Sequence, residues 1–361
     1  MTTRDGPQAA HARVRRDVPT PAGAVALPGL PGLPGASARL YRGTDDVPGI
    51  VDVLHESRRA DRVAWLPSVD EVRHEFAHPV NEVPERDALL VERDGRIVAW
   101  VRTSWSLRDD GYVYRTFGAV HPQVRRKGIG RALLHWGQRR LRETADGHPD
   151  GVPRAFGAET LGGEDGAKAL LASDRYRPVR YFAEMHRLLR DPIPAFDIPA
   201  GLELRPLASA DHRRVFEAQA EAFRDHWGNR EWTDADFAAI FSGPNMDASL
   251  WQVVWDGDEV AGVIDTAIHA AENELLGVRH GWLEHISVRR PWRGRGLAKA
   301  MIVRTMLALR ERGISTAALG VDAENPTGAF GLYESLGFRV ADRMEVLRKP
   351  LDDEPPPAPG R

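Results

Sequence analysis

The stretch Arg293-Gly294-Arg295-Gly296-Leu297-Ala298 follows an apolar run at residues 283–288 and opens an amphipathic segment beginning at Leu297. A strand, a turn of small and basic residues, then a helix is the order in which a chain presents free backbone N–H groups to an anion. Glycine or alanine at alternate positions removes Cβ bulk and lets the main chain approach a pyrophosphate closely. Arg293 and Arg295 add charge. Arg125-Arg126-Lys127-Gly128-Ile129-Gly130 repeats the pattern after an alternating run at 112–120 and before a helical run at 131–142, with charge from Arg126 and Lys127 and a core anchor in Ile129. A basic glycine turn on its own reads as a solvated loop. Its setting between strand and helix, found twice, makes it a phosphate site.

Working outward, the same order of elements surrounds both turns. Asp94-Gly95 and Asp256-Gly257 each sit between apolar alternations, the signature of a β-hairpin. In the first half, residues 48–59 read as a helix, 88–92, 97–104 and 112–120 as strands, 156–160 as a strand, 166–173 as a short helix and 181–189 as a last strand. In the second half the strands fall at 202–206, 251–254, 260–268, 282–288, 315–321 and 340–347, and the helices at 210–223, 297–312 and 329–336. The separations agree apart from a few residues inserted around 271–277, so the chain reads as an internal duplication. The proline-rich connector at 192–201 is the expected domain boundary. The expected organisation is a disordered tail at 1–37, one copy at 38–191, the linker, a second copy at 202–351 and a solvated end at 352–361.

Composition narrows the function. With 42% apolar and 28% charged residues the chain has the make-up of a soluble globular protein, and a net charge of −3 argues against nucleic acid as a partner. The absence of cysteine excludes disulfides, thiolate metal sites and a cysteine nucleophile. No apolar run approaches the roughly 18–20 residues that span a bilayer, and no compact apolar leader is visible, so a cytoplasmic location is expected.

Both turns match the Arg/Gln-x-x-Gly-x-Gly/Ala signature of the GNAT superfamily of N-acetyltransferases, and the second copy adds Asn325 and Leu332-Tyr333-Glu334-Ser335-Leu336-Gly337-Phe338. The chain thus resembles the tandem members of that superfamily, the group that includes mycothiol synthase, closely over 202–351 and more loosely over 38–189. The resemblance implies an α/β fold with two copies of a twisted mixed sheet flanked by helices. It implies acetyl-CoA as cosubstrate, lying in a splay between two parallel strands. By the same carry-over, backbone at Ile286, Ser287 and Val288 meets the pantetheine arm and acetyl carbonyl. Backbone at Arg293, Gly294, Arg295, Gly296, Leu297 and Ala298 holds phosphate, and Asn325 lies near the pantetheine. Val120, Arg125, Arg126, Lys127, Gly128, Ile129 and Gly130 form the matching second site.

Acetyl transfer to an amine needs the amine deprotonated, the thioester carbonyl polarised and the leaving thiolate stabilised or protonated. Tyr333 matches the family tyrosine that faces the CoA sulfur and is the candidate acid; without that context it reads as a packed helix residue. Glu284 lies four residues before Val288, so strict alternation puts it on one face with Ile286 and Val288, as candidate base, and turns His285 away. The competing reading of Glu284 is a carboxylate satisfied by a neighbouring arginine. Registering the first copy on its turn sets Thr116 opposite Glu284, Leu171 opposite Tyr333 and Gly163 opposite Asn325. Catalysis is therefore expected in the second copy alone. Between the first strand and the hairpin of that copy, Arg224, Asp225, His226, Trp227, Asn229 and Trp232 either line an acceptor pocket, with His226 and Trp227 as its contacts, or pack the helix end against the first copy. No spacing fits a metal site. The expected activity is direct acetyl transfer in a ternary complex to a small-molecule amine, by a monomer or homodimer with neither nucleic-acid nor membrane partners. A CoA-binding module without turnover and a protein or peptide N-acetyltransferase are the alternatives.

Overall fold

The computed structural model describes Val25, Leu27 and residues 33–324 and 328–352. The first copy runs β1 (Ala36–Leu40), α1 (Val47–Asp61), α2 (Val69–Ala77), the single turn α3 (Pro84–Asp87), β2 (Ala88–Arg93), β3 (Arg96–Arg108), β4 (Gly111–Val120), α4 (Ile129–Ala145), β5 (Arg154–Leu161), α5 (Asp165–Ser173) and β6 (Arg177–Leu188). The second runs β7 (Glu203–Arg205), α6 (His212–Phe223), α7 (Asp234–Phe241), β8 (Gln252–Asp256), β9 (Glu259–Ala267), α8 (Ala270–Leu276), β10 (His280–Val288), α9 (Leu297–Glu311), β11 (Thr316–Asp322), α10 (Ala329–Ser335) and β12 (Arg339–Pro350). Strand and helix recur in the same order, as the duplication requires, apart from the single turn α3 in the first copy and α8 in the second.

Local chemistry explains the boundaries. Asp94 and Gly95 both take positive φ, the conformation of a two-residue turn whose twist matches the strands it joins. In the second hairpin the turn residues are Gly257 and Asp258, with Asp256 paired to Glu259. Of the four helices absent from the sequence reading, α2, α3, α7 and α8, the short α2 and α7 start on full capping boxes, Ser68 with Glu71 and Thr233 with Asp236. Each box satisfies two N–H groups that a helix start leaves open.

All the strands join one sheet in the order β1-β2-β3-β4-β5-β12-β6-β11-β10-β9-β8-β7. The copies exchange their last strands. β6 pairs antiparallel with β11 of the second copy, and β12 pairs antiparallel with β5 of the first, while β6 and β12 pair with each other at the centre. The proline-rich connector therefore divides the sequence without dividing the sheet. Lys349 on β12 is fully buried beside Phe156 and Tyr176 of the first copy, and its Nζ lies 2.9 Å from Asp174, which also accepts from Gln138. The expected tail at 1–37 is folded where it is described: Val25 N–H bonds to Ala38 O at 2.7 Å, Leu27 and Leu33 are buried, and β1 already begins at Ala36. These apolar side chains complete the core under β1 and β2, which outweighs the proline content. Residues 1–24 and 353–361 lie outside the described residues.

Candidate functional site

Each copy opens a splay in the sheet. β10 pairs parallel with β11 only over residues 280–283 and then runs beside β9 alone through Val288, which leaves the β11-facing polar groups of its last residues without a strand partner. β4 does the same against β5, pairing over 112–115 and parting thereafter. The basic turns lie at the open ends. Gly294 and Gly296 take φ of 74° and 83°, and the first backbone bond of α9 runs from Ala300 N–H to Gly296 O. The N–H groups of Leu297, Ala298 and Lys299 are thus those that a helix start leaves free, and with the helix dipole they suit a phosphate. In the first copy the bond is Ala132 N–H to Gly128 O, and Arg126 takes the positive φ that Gly294 takes in the second.

Arg293, expected to add charge at the turn, also has a structural part there. Its guanidinium donates to Val288 O, Ala222 O and Asp225, tying the end of β10 to the end of α6. Arg125 is held likewise by Val120 O, Ser57 and Asp61. The first arginine of each turn is therefore a strut. Arg295 is exposed, and no partner for it occurs among the described residues.

Strict alternation along β10 fails at the point that matters. Leu283 pairs with Thr266 and His285 with Asp265, so Glu284 is an extra residue in a bulge. No bulge breaks the pairing of β3 with β4. Ile286 and Val288 consequently pack on the core around α9, whereas Glu284 and His285 both line a cavity of about 440 Å³. The reading that set Glu284 on one face with Ile286 and Val288, and His285 on the other, is corrected by this bulge.

The cavity lies between the two copies. Trp65, Pro67, Glu71, His74 and Glu75 come from the first, and the second supplies Ile240, residues 243–246, Trp251, the end of β9 at 265–267, His269, Glu272, Trp282, Glu284 and His285. Among the described residues its lining contains carboxylates, imidazoles and tryptophans but no lysine or arginine. Glu284 Oε1 accepts from His269 Nε2 at 2.9 Å, and the other ring nitrogen of His269 meets Glu71. The partner of Glu284 is thus a histidine, where the competing reading had an arginine. Burial alone would lower the His269 pKa, but hydrogen bonds to Glu284 and Glu71 raise it to about 10. In His285, too, burial is outweighed by the Asp265 carboxylate, 2.8 Å from Nδ1, and the pKa rises to about 9. Both imidazoles are therefore cationic near neutrality, so neither accepts a proton there.

Tyr333 on α10 is 8% exposed, with its ring edge-on to Phe338, and burial pushes the phenol up to about 12. It keeps its proton at neutral pH. Asn325 lies outside the described residues. His226 stacks on Phe223, and Trp227 packs against Phe182 under the guanidinium groups of Arg180 and Arg348, while Asn229 O accepts from Asp109 N–H. Within 224–232, Trp227 and Asn229 thus meet the first copy, whereas His226 and Trp232 pack on Phe223, and Trp232 also on His285, in the second; no residue of the segment is among those that line the 440 Å³ cavity. Sequence reasoning missed Glu71 and His269. The available signals were the capping box around Glu71 and the insertion that begins beside His269.

In the first copy the splay opens on a cavity of about 840 Å³ lined by Trp100, residues 116–120, the basic turn and α5. Thr116 stands there where the second copy has Glu284, and Leu171 is a buried core residue. Among the described residues no group of three or more acidic or imidazole side chains is placed to hold a metal, and no helix is long and apolar enough to cross a membrane.

Comparison with known proteins agrees with this geometry. The model of the acetyltransferase (GNAT) family matches residues 50–149 and 212–338, one segment in each copy. A mycothiol acetyltransferase of Salinispora arenicola is 34% identical over 223 residues, covering 61% of this chain and 68% of its own. A GCN5-related N-acetyltransferase from Sphaerobacter thermophilus superposes with a TM-score of 0.68 at 27% identity, covering 88% of this chain and 96% of its own. A tandem GNAT protein from the clavulanic acid biosynthesis pathway shares the fold with a TM-score of 0.64 at 16% identity, over 88% and 99% of the two chains. Two splays, two basic glycine turns at helix starts and a matched segment in each half have one common account: the chain belongs to the acetyltransferase (GNAT) family, as a duplicated acetyltransferase with acetyl-CoA as its cosubstrate.

Proposed function

We propose that the chain transfers the acetyl group of acetyl-CoA to the amine of a small molecule held in the cavity between the copies, by direct attack in a ternary complex, with the chemistry confined to the second copy. The observation that carries this reading is the bulge at Glu284, which sets a carboxylate at the mouth of the C-terminal splay and inside the cavity at once. The bound cosubstrate supplies an activated acyl group. Backbone at Ile286, Ser287 and Val288 lines its arm, N–H groups from Gly294 to Ala298 hold phosphate, and Arg295 adds charge; the N–H of Val288 is assigned to the carbonyl. Glu284 accepts the proton of the bound ammonium, directly or through water, and the neutral Tyr333 phenol donates toward the departing sulfur. Two walls contributed by different copies, in which the carboxylates Glu71, Glu75, Asp265, Glu272 and Glu284 outnumber the cationic His269 and His285, suit a compact cationic acceptor. The name of the Salinispora relative makes mycothiol chemistry the first to try. The turn of the first copy is assigned a second, non-catalytic CoA site.

The test is thiol release from acetyl-CoA across a library of small amines that includes the amine precursor of mycothiol. Acceptor-dependent thiol is expected, with kcat falling about 100-fold or more in Glu284→Gln and in Tyr333→Phe. Saturable CoA binding with no acceptor-dependent release would overturn the enzyme reading, and release supported only by peptides would overturn the small-molecule one.

A further inference from the structure

We infer that His269 is the positioning residue of Glu284 and that Glu71, from the other copy, holds His269 in place, so that the first copy completes an active site in the second. The inference rests on the reading of Glu284 as the base.

The contacts form a chain across the cavity. Ser68 N–H donates to Glu71 Oε2 at 2.6 Å, Glu71 Oε1 takes Asn245 Nδ2 at 2.6 Å and His269 Nδ1, and His269 Nε2 reaches Glu284 Oε1. One carboxylate thus caps α2 with one oxygen and grips a residue of the other copy with the second. Capping alone does not call for that grip. In the equivalent box of the second copy, Asp236 caps α7 and turns to Arg230 of its own copy, at 2.8 Å.

The insertion has the same logic. In the first copy β3 passes to β4 through the two residues Asp109 and Asp110, whereas residues 268–279 separate β9 from β10 in the second. His269 is the residue before α8 in that insertion, above a strand position where the first copy has Thr116 and nothing to orient. The anchor of α8 reaches the first copy as well, through Leu66 N–H to Glu272 Oε1 at 2.7 Å.

The groups facing His269 are Glu71 from α2, Glu284 from β10, Glu272 from α8 and the Asn245 amide. Between the first two carboxylates the imidazole is doubly protonated, so both ring nitrogens donate and the ring has one orientation. Glu284 then has one oxygen engaged, and its Oε2 has no partner among the described residues. That oxygen is the one left for an ammonium, on a side chain whose rotamers are no longer free. A misplaced base costs rate steeply even when binding is intact.

Glu71→Gln tests this with little risk to the fold, because a capping box accepts glutamine as well as glutamate. With acetyl-CoA and the amine precursor of mycothiol, Glu71→Gln and His269→Gln should each lower kcat at least 10-fold while the acetyl-CoA KM stays within twofold. The alkaline limb of the kcat profile should move to lower pH in Glu71→Gln, because a carboxylate that keeps His269 protonated is gone. The ¹⁵N shifts of the His269 ring, which need no turnover, should show a doubly protonated ring at pH 8 in the wild type and a neutral one in Glu71→Gln. Wild-type kcat, an unmoved profile and an unmoved ring titration in these variants, beside an inactive Glu284→Gln, would overturn the positioning role and leave the base assignment standing. A fully active Glu284→Gln would overturn the base assignment itself.

Discussion

Arg293 and Arg295 stand two residues apart in the same turn and do different work. Arg293 is bonded to two carbonyls and a carboxylate, so its loss removes charge-assisted bonds between β10 and α6. Those bonds are partly exposed and worth about 1 kcal/mol together. Arg293→Ala is expected to lower Tm by a few degrees, read by calorimetry. Arg295→Ala should instead raise the acetyl-CoA KM about fivefold with kcat unchanged, as when uniform binding is removed. Equal effects of the two on KM would contradict the division. The basic turn at a helix start was legible in the sequence. That Arg293 is bonded and Arg295 exposed was not, because that depends on Asp225 and Ala222, which lie about seventy residues from Arg293.

At the scale of elements, the proposed anion site depends on a helix start entered from the left-handed region. A Cβ at Gly296 meets nothing within 4 Å, so the cost of Gly296→Ala comes from its φ of 83° and not from a clash. That cost is roughly 1–2 kcal/mol. The variant should lose that much stability in urea titration and also bind acetyl-CoA more weakly, since the first N–H groups of α9 tilt with the turn. Unchanged binding would show that the cradle tolerates a different entry. The bulge in β10 belongs to the same scale. A reading with period two holds for β4, which has no bulge, and fails for β10, where a single extra residue turns Glu284 and His285 into one cavity. The two short capped helices escaped a periodicity argument because they are only two or three turns long, although their capping boxes were present in the sequence.

For the whole molecule, strand exchange joins the two copies through one sheet, so they are expected to unfold together. Lys349 lies 0% exposed in the core of the copy that did not encode it, paired to Asp174. Removing one partner of such a pair leaves a buried charge uncompensated, at a cost of about 3–5 kcal/mol. Asp174→Ala should therefore shift the urea midpoint downward by a corresponding amount and unfold both copies in one transition. Burial raises the Asp174 pKa, but hydrogen bonds from His135, Lys349 and Gln138 outweigh it and hold the carboxyl at about 2. A folded pKa below the unfolded value of about 3.9 means stability that is present above pH 4 and lost as pH falls through 2. The wild type should lose stability across that window, and Asp174→Asn should flatten the loss. Two separate transitions in the Asp174→Ala variant would show that the copies do not depend on the exchange.

The sequence by itself determined the duplication, the strand–turn–helix at each basic turn, most of the element order and the asymmetry that leaves Glu284 and Tyr333 in the second copy only. These are local properties: glycine tolerance of positive φ, hairpin turn chemistry and apolar periodicity each act over a few residues. Tertiary structure alone decided that the last strands are exchanged, that Glu284 is bulged and that Glu71 meets His269 over a separation of 198 residues. Contacts of that kind depend on how two surfaces pack, and each partner, read alone, already has a satisfactory local explanation: a capping glutamate in one copy and a loop histidine in the other.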